Sequence, residues 1–111
     1  MRKIVILAIL VVFGLSFSGC EVDPDATYKV IYLANTTDTY GTVPIDYTEY
    51  KSGDEAIVLD EGTLQKTGFT FIHWNTDKDD LGVSYVSGDI ITITNINVFL
   101  YAIWAEISPR N

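Results

Sequence analysis

Lys66-Thr-Gly-Phe-Thr-Phe-Ile-His-Trp-Asn75 is the stretch on which the fold turns. It opens at a turn residue, Gly68, and places three large rings, Phe69, Phe71 and Trp74, close together. Rings of this size bury enough area for a small domain to condense around them. Phe69 and Phe71 alternate as neighbours on one strand face do. Trp74 follows Phe71 by three positions and falls out of phase. A bulge near Ile72-His73 would bring all three rings to one core.

The natural partner is Val98-Phe-Leu-Tyr-Ala-Ile-Trp104, which is apolar on both faces and therefore reads as a central strand. Tyr28-Lys-Val-Ile-Tyr-Leu33 is a third strand, with Tyr28, Val30 and Tyr32 on one face. Ala56–Leu59 and Ile90–Ile93 are shorter β-prone runs. Each follows a Ser-Gly-Asp turn, Ser52-Gly-Asp54 and Ser87-Gly-Asp89. Asn35 to Thr42 reads as a turn-rich loop, and Pro44 confines Val43-Pro-Ile45 to an edge or a non-strand. Thr48 to Ser52 or Leu64 to Thr67 has room for one helical turn. The class is mainly β, α+β at most, with about five short strands.

The first 19 residues stand apart from this domain. Arg2 and Lys3 precede an apolar run from Ile4 to Phe17, and Ser18-Gly19-Cys20 follows. The run is too short for a spanning helix, which needs about 20 residues. It fits a signal-peptide core ending in small residues. Cys20 is the only cysteine, so no intramolecular disulfide forms. Phe17-Ser18-Gly19-Cys20 resembles the bacterial lipobox, with Phe17 where Leu is usual. The resemblance implies cleavage before Cys20, covalent lipid on its side chain and permanent attachment to a membrane. One acyl chain holds only marginally, whereas two or more hold stably. The acidic residues after Cys20 also resemble surface-export signals of Bacteroidetes lipoproteins.

The leader holds two of the seven basic residues and none of the fifteen acidic ones, so the mature chain carries 5 − 15 = −10. That charge disfavours nucleic acid, whose phosphates require Lys and Arg. Solubility is the plain reading, and attraction to a cationic partner is the sharper one.

Catalysis has little footing in these residues. His73 is the only histidine, and a metal site or a nucleophile–base pair needs further convergent groups. Asp77-Lys-Asp-Asp80 is acidic but lacks the ligand spacing of a calcium loop, and reads as a solvated turn. The chain is expected to be no enzyme, with no metal and no cofactor beyond the lipid on Cys20. Tyr40, Tyr47, Tyr50 and Tyr85 are the candidate binding residues, because exposed Tyr gives contact area at low entropic cost. Partial burial against the sheet is their alternative.

Taken in order, these pieces resemble the InlB B-repeat, also called the Listeria–Bacteroides repeat. The likeness rests on Tyr28 to Tyr32, Asn35, Val43-Pro44 and Tyr50-Lys-Ser-Gly53-Asp54. It continues through Leu64-Gln-Lys66-Thr67-Gly68-Phe69-Thr-Phe71, Trp74-Asn75-Thr76, Ser84-Tyr85-Val-Ser-Gly88-Asp89 and Leu100-Tyr101-Ala102-Ile-Trp104. Two positions depart from it: His73 stands where the family has Gly, and Asn35-Thr36-Thr37 replaces an Asn-Gly-Gly turn. The resemblance implies a β-grasp, ubiquitin-like fold and a noncatalytic surface role.

The expected layout is therefore a signal peptide over 1–19, a lipidated Cys20 with a linker to Ala26, the repeat domain over 27–105 and a tail over 106–111. The expected location is the cell envelope, lipid-anchored, at the outer membrane or cell surface. Seven linker residues reach at most about 25 Å, and a domain of this size has a radius of gyration near 12 Å. The expected role is contact of the adhesion type with an unidentified protein or glycan. A structural or accessory subunit of an envelope complex, or a glycan-binding module, is the alternative.

Overall fold

The computed structural model describes residues 23–108. They form eight strands in three sheets. The strands are β1 (Val30–Leu33), β2 (Thr39–Tyr40), β3 (Glu55–Ile57), β4 (Gln65–Lys66), β5 (Phe69–Asn75), β6 (Ser84–Tyr85), β7 (Ile90–Thr92) and β8 (Val98–Glu106).

The main sheet has the order β1-β8-β5-β6. β8 is central, as its two apolar faces require, and runs parallel to β1 and antiparallel to β5. The first and last strands thus pair side by side and in parallel, within an all-β domain. The bulge lies where the phase of the rings demands it. Phe71 pairs with Trp104 and His73 with Ile103, so Ile72 is the extra residue. Beyond it, Trp74 turns to the same side as Phe71, and the rings meet edge to face at 4.9 Å. Tyr32 meets Trp74 at 4.8 Å and Trp104 meets Phe71 at 5.9 Å, extending the cluster across three strands. Each such pair contributes about 0.5–1.5 kcal/mol beyond the area it buries.

β3 and β7 form an antiparallel ribbon whose inner residues, Ala56, Val58, Ile91 and Ile93, join Trp74, Leu100 and Ala102 in the core. The two Ser-Gly-Asp turns close this ribbon in the same way. Asp54 returns its carboxylate to the Lys51 amide at 2.8 Å, and Asp89 returns its own to the Val86 amide at 2.8 Å. Gly53 and Gly88 both have φ 94°, a conformation glycine adopts without a side-chain clash. Their amides reach across to Ile93 and Val58, so each turn staples the end of the opposite strand.

Three sequence expectations are corrected. There are eight strands, not about five, because three two-residue strands, β2, β4 and β6, escape any pattern-based reading. The loop over 35–42 contains β2, which pairs with β4 through Thr39–Lys66 and Tyr40–Gln65. The expected helical turn is absent among the described residues. Tyr50 exchanges backbone bonds with Tyr28, and Gln65–Lys66 is held by β2, so long-range partners take the groups that a helical turn would have used.

Candidate functional site

Trp74 does more than fill the core. Its Nε1–H donates to the Leu59 carbonyl at 2.9 Å, while the Leu59 amide donates to the Tyr32 hydroxyl at 3.0 Å. Two core rings thus hold both backbone groups of one connecting residue. Trp104 Nε1–H likewise donates to the Ala34 carbonyl at 3.0 Å. Asn35 then takes φ 65°, a left-handed value that Asn tolerates, and its amide bonds the carbonyls of Lys78 and Ala102.

Asn75 organises the acidic loop. It is fully buried, and all four of its amide capacities are met. Its Nδ2 donates to Asp80 Oδ1 and Ser84 Oγ, both at 3.0 Å. Its Oδ1 accepts the amides of Asp77 at 2.8 Å and Gly82 at 2.9 Å. A Cβ at Gly82 would lie 2.2 Å from Thr76 Oγ1, so any side chain there forces Thr76 to shift. His73 Nε2 lies 2.8 Å from Asp80 Oδ1 and 3.3 Å from Ser84 Oγ. His73 therefore belongs to the same small network, on a backbone that accepts a side chain at this position. No group of three or more His, Cys, Asp or Glu among the described residues is arranged to hold a metal ion.

The opposite edge of the sheet is built differently. Residues 43–47 run beside β1 and enclose with it an apolar cleft of about 280 Å³. Its lining includes Val30, Tyr32, Val43, Pro44, Ile45 and Tyr47. Asp46 shapes this strap. Its Oδ1 accepts the Thr48 amide at 3.0 Å and its Oδ2 accepts the Tyr50 hydroxyl at 2.5 Å. Burial works against the Asp46 charge, but the bonds from Tyr50 and Thr48, with Lys29 nearby, outweigh it and hold the carboxyl below its ordinary value. Burial, together with the bond to Asp46, raises the Tyr50 hydroxyl above 10.0. Burial also raises Tyr32, aided by the nearby Asp46 charge, although the Leu59 amide opposes the shift.

The four candidate tyrosines do not converge. Tyr47 stands on the strap at 79% exposure, beside the cleft. Tyr40 is exposed on the separate β2–β4 ribbon. Tyr85 pairs with Trp74 across β5 and β6 and packs against the core. Tyr50 is a core residue at 9% exposure, so it offers no contact surface. Its neighbour in sequence, Glu49, is exposed, and only the long-range bridge to Tyr28 explains why Tyr50 turns inward.

Sequence reasoning missed Ile45, which is 60% exposed beside the cleft. Pro44 was its signal, because a proline at an edge leaves the neighbouring backbone unpaired. It also missed exposed apolar residues elsewhere: Ile57 and Ile90, directly paired on the outer face of the ribbon, Ile96 just before β8, and Phe99 on β8. Cys20 lies outside the described residues. Among those described, no helix is long and apolar enough to cross a membrane.

The domain is an all-β module with a ring-built core and a loosely covered strand edge. Residues 28–103 match the Listeria-Bacteroides repeat domain, and the chain belongs to that family. Two similar proteins come from Evansella cellulosilytica. One, named "Putative membrane protein", is 38% identical over 80 residues, covering 71% of this chain and 12% of the relative. The other, named "Putative Gly-rich membrane protein", is 40% identical over 78 residues, covering 69% of this chain and 9% of the relative. The chain thus spans about a tenth of the length of these relatives. No solved structure matches.

Proposed function

We propose that this chain is a cell-envelope lipoprotein, held by lipid on Cys20, that displays one noncatalytic repeat module for contact with another protein at the cell surface. The observation that carries this reading is one of order: an apolar leader ends at Cys20, and the family match begins at Tyr28. A linker that short keeps the module against its membrane. The membrane-protein names of both relatives agree with an envelope location.

Mass spectrometry of the protein purified from its own cells tests the reading. The expected product begins at Cys20 and carries a diacylglyceryl mass, and Cys20→Ala abolishes the acylation and releases the chain. An unacylated, freely secreted wild-type product contradicts the anchor. Protease shaving of intact cells then tests display: digestion of the module is expected, and full resistance argues for an inward-facing protein.

A further inference from the structure

The cleft beside β1 borders an unfinished ladder. Tyr28 exchanges both of its backbone bonds with Tyr50, at 2.7 and 2.9 Å, on the side away from β8. Lys29 points the other way: its carbonyl accepts the Val98 amide at 2.9 Å, and its amide donates to the Asn97 side chain at 2.8 Å. Successive residues of a strand direct their backbone groups to opposite sides. Ile31 and Leu33 therefore bond β8, in the register that sets Val30 beside Val98 and Tyr32 beside Leu100. Val30 and Tyr32 direct both N–H and C=O toward the strap. Among the described residues no hydrogen bond to protein joins those four groups. Both residues are nearly inaccessible, at 2% and 4% exposure. Buried backbone groups in native proteins are almost always paired, so an unpaired run of four asks for an explanation.

The strap leaves the ladder for a local reason. Continued from the Tyr28–Tyr50 bridge, antiparallel pairing would set Val30 opposite Thr48 and Tyr32 opposite Asp46. At those residues the Asp46 carboxylate instead bends the chain by capturing the Thr48 amide and the Tyr50 hydroxyl. Pro44 supplies no amide at all. The strap is thus held at its ends: Thr42 bonds Thr63 at one, and Tyr50 bonds Tyr28 at the other. Between them it forms no backbone ladder.

The geometry points to an edge-strand binding site that takes an extended, positively charged peptide segment of a partner protein. The segment adds to β1 as the strap swings aside on its two pinned ends, and an apolar side chain fills the cleft against Val43, Pro44 and Ile45. Tyr47 closes over it as the aromatic anchor. Only an extended backbone matches paired N–H and C=O groups repeating every second residue. The positive charge follows from the surface, because the described residues carry four lysines against fourteen Asp and Glu, 4 − 14 = −10. Asp46 lines the cleft, and the one cation beside it, Lys29, lies 3.9 Å from the Glu49 carboxylate. This inference names the partner chemistry for the protein-contact role proposed above and rests on that reading.

The test uses the full-length chain in mild detergent and a blocked heptapeptide of alternating lysine and valine. Its controls are the glutamate–valine counterpart and the lysine–valine peptide with proline in place of the central valine. Binding is read by fluorescence anisotropy, and amide hydrogen exchange by NMR. The lysine–valine peptide is expected to slow exchange at the Val30 and Tyr32 amides by about tenfold or more while leaving Ile31 and Leu33 unchanged. Tyr47→Ala is expected to weaken binding by about tenfold, and both control peptides are expected to fail. Ile45→Ala, at a second exposed site, is expected to weaken binding without shifting the melting temperature. Binding that leaves the Val30 and Tyr32 amides unaffected overturns the proposal. So does equal binding of the acidic peptide, protection of these amides by self-association alone, or no binding at all. Acylation and shaving are read on separate samples, so failure here leaves the anchored-module reading intact, and failure there leaves this result to stand alone.

Discussion

Two loops of this domain solve the same problem in opposite ways. The chain from Thr76 to Val83 is knitted from within by one buried side chain, Asn75, which makes four hydrogen bonds. The chain from Val43 to Tyr47 is pinned at its ends and lies along a strand edge that it does not pair with. The first is rigid because its polar groups have partners inside the protein. The second leaves polar groups of β1 open to a partner from outside. In a single small domain, rigidity and availability have been assigned to opposite edges of one sheet.

The sharpest way to break this contrast is Asn75→Leu. The change strands the amides of Asp77 and Gly82, whose bonds to Asn75 are partly buried, and each stranded group costs about 1–3 kcal/mol. Urea unfolding should show a loss of about 3 kcal/mol or more. A loss under about 0.5 kcal/mol would mean that the loop does not depend on Asn75. Gly82→Ala should follow at about 1–3 kcal/mol, because its new Cβ meets Thr76 Oγ1 and Asn75 Oδ1.

How much of this was legible in the sequence follows from the range of each interaction. The bulge at Ile72 was readable, because the step of three from Phe71 to Trp74 is local. The central place of β8 was readable from its two apolar faces, and the paired turns from Ser-Gly-Asp occurring twice. The inward turn of Tyr50 was not readable, since it depends on Tyr28, 22 positions earlier. Nor was the role of Asn75: an isolated Asn reads as a turn residue, and only the returning loop supplies its partners. The cleft gave one sign, Pro44, and that sign says where a ladder stops without saying what stands beside it.

Acid probes the strap with a smaller effect. The Asp46 carboxyl titrates lower in the folded chain than in the unfolded one. Its contribution is therefore present above the unfolded value, near pH 4, and is lost as pH falls through the lower folded value. Asp46→Asn should be slightly less stable than wild type at neutral pH, and the two stability curves should converge as pH falls below the folded value. Parallel curves would show that the Asp46 charge does not hold the strap. At the alkaline end, Tyr32 and Tyr50 titrate above 10.0 when folded. Their contributions are complete below pH 10 and are lost as pH rises toward the folded values. Tyr50→Phe should remove part of the alkaline loss.

The smallest expected change is Tyr47→Ala, which touches solvent and should alter stability by less than about 0.5 kcal/mol. A larger loss by thermal melting would mean that the strap is part of the core.

Native-state hydrogen exchange on the unliganded full-length chain compares the two edges most directly. The Asp77 and Gly82 amides, held by Asn75, should exchange only when the whole domain unfolds. The Ile45 and Tyr47 amides should exchange through small local openings, and Val30 and Tyr32 should exchange faster than their neighbours Ile31 and Leu33. Uniform protection along β1, with the strap as slow as the Asn75 loop, would contradict an edge left open for a partner.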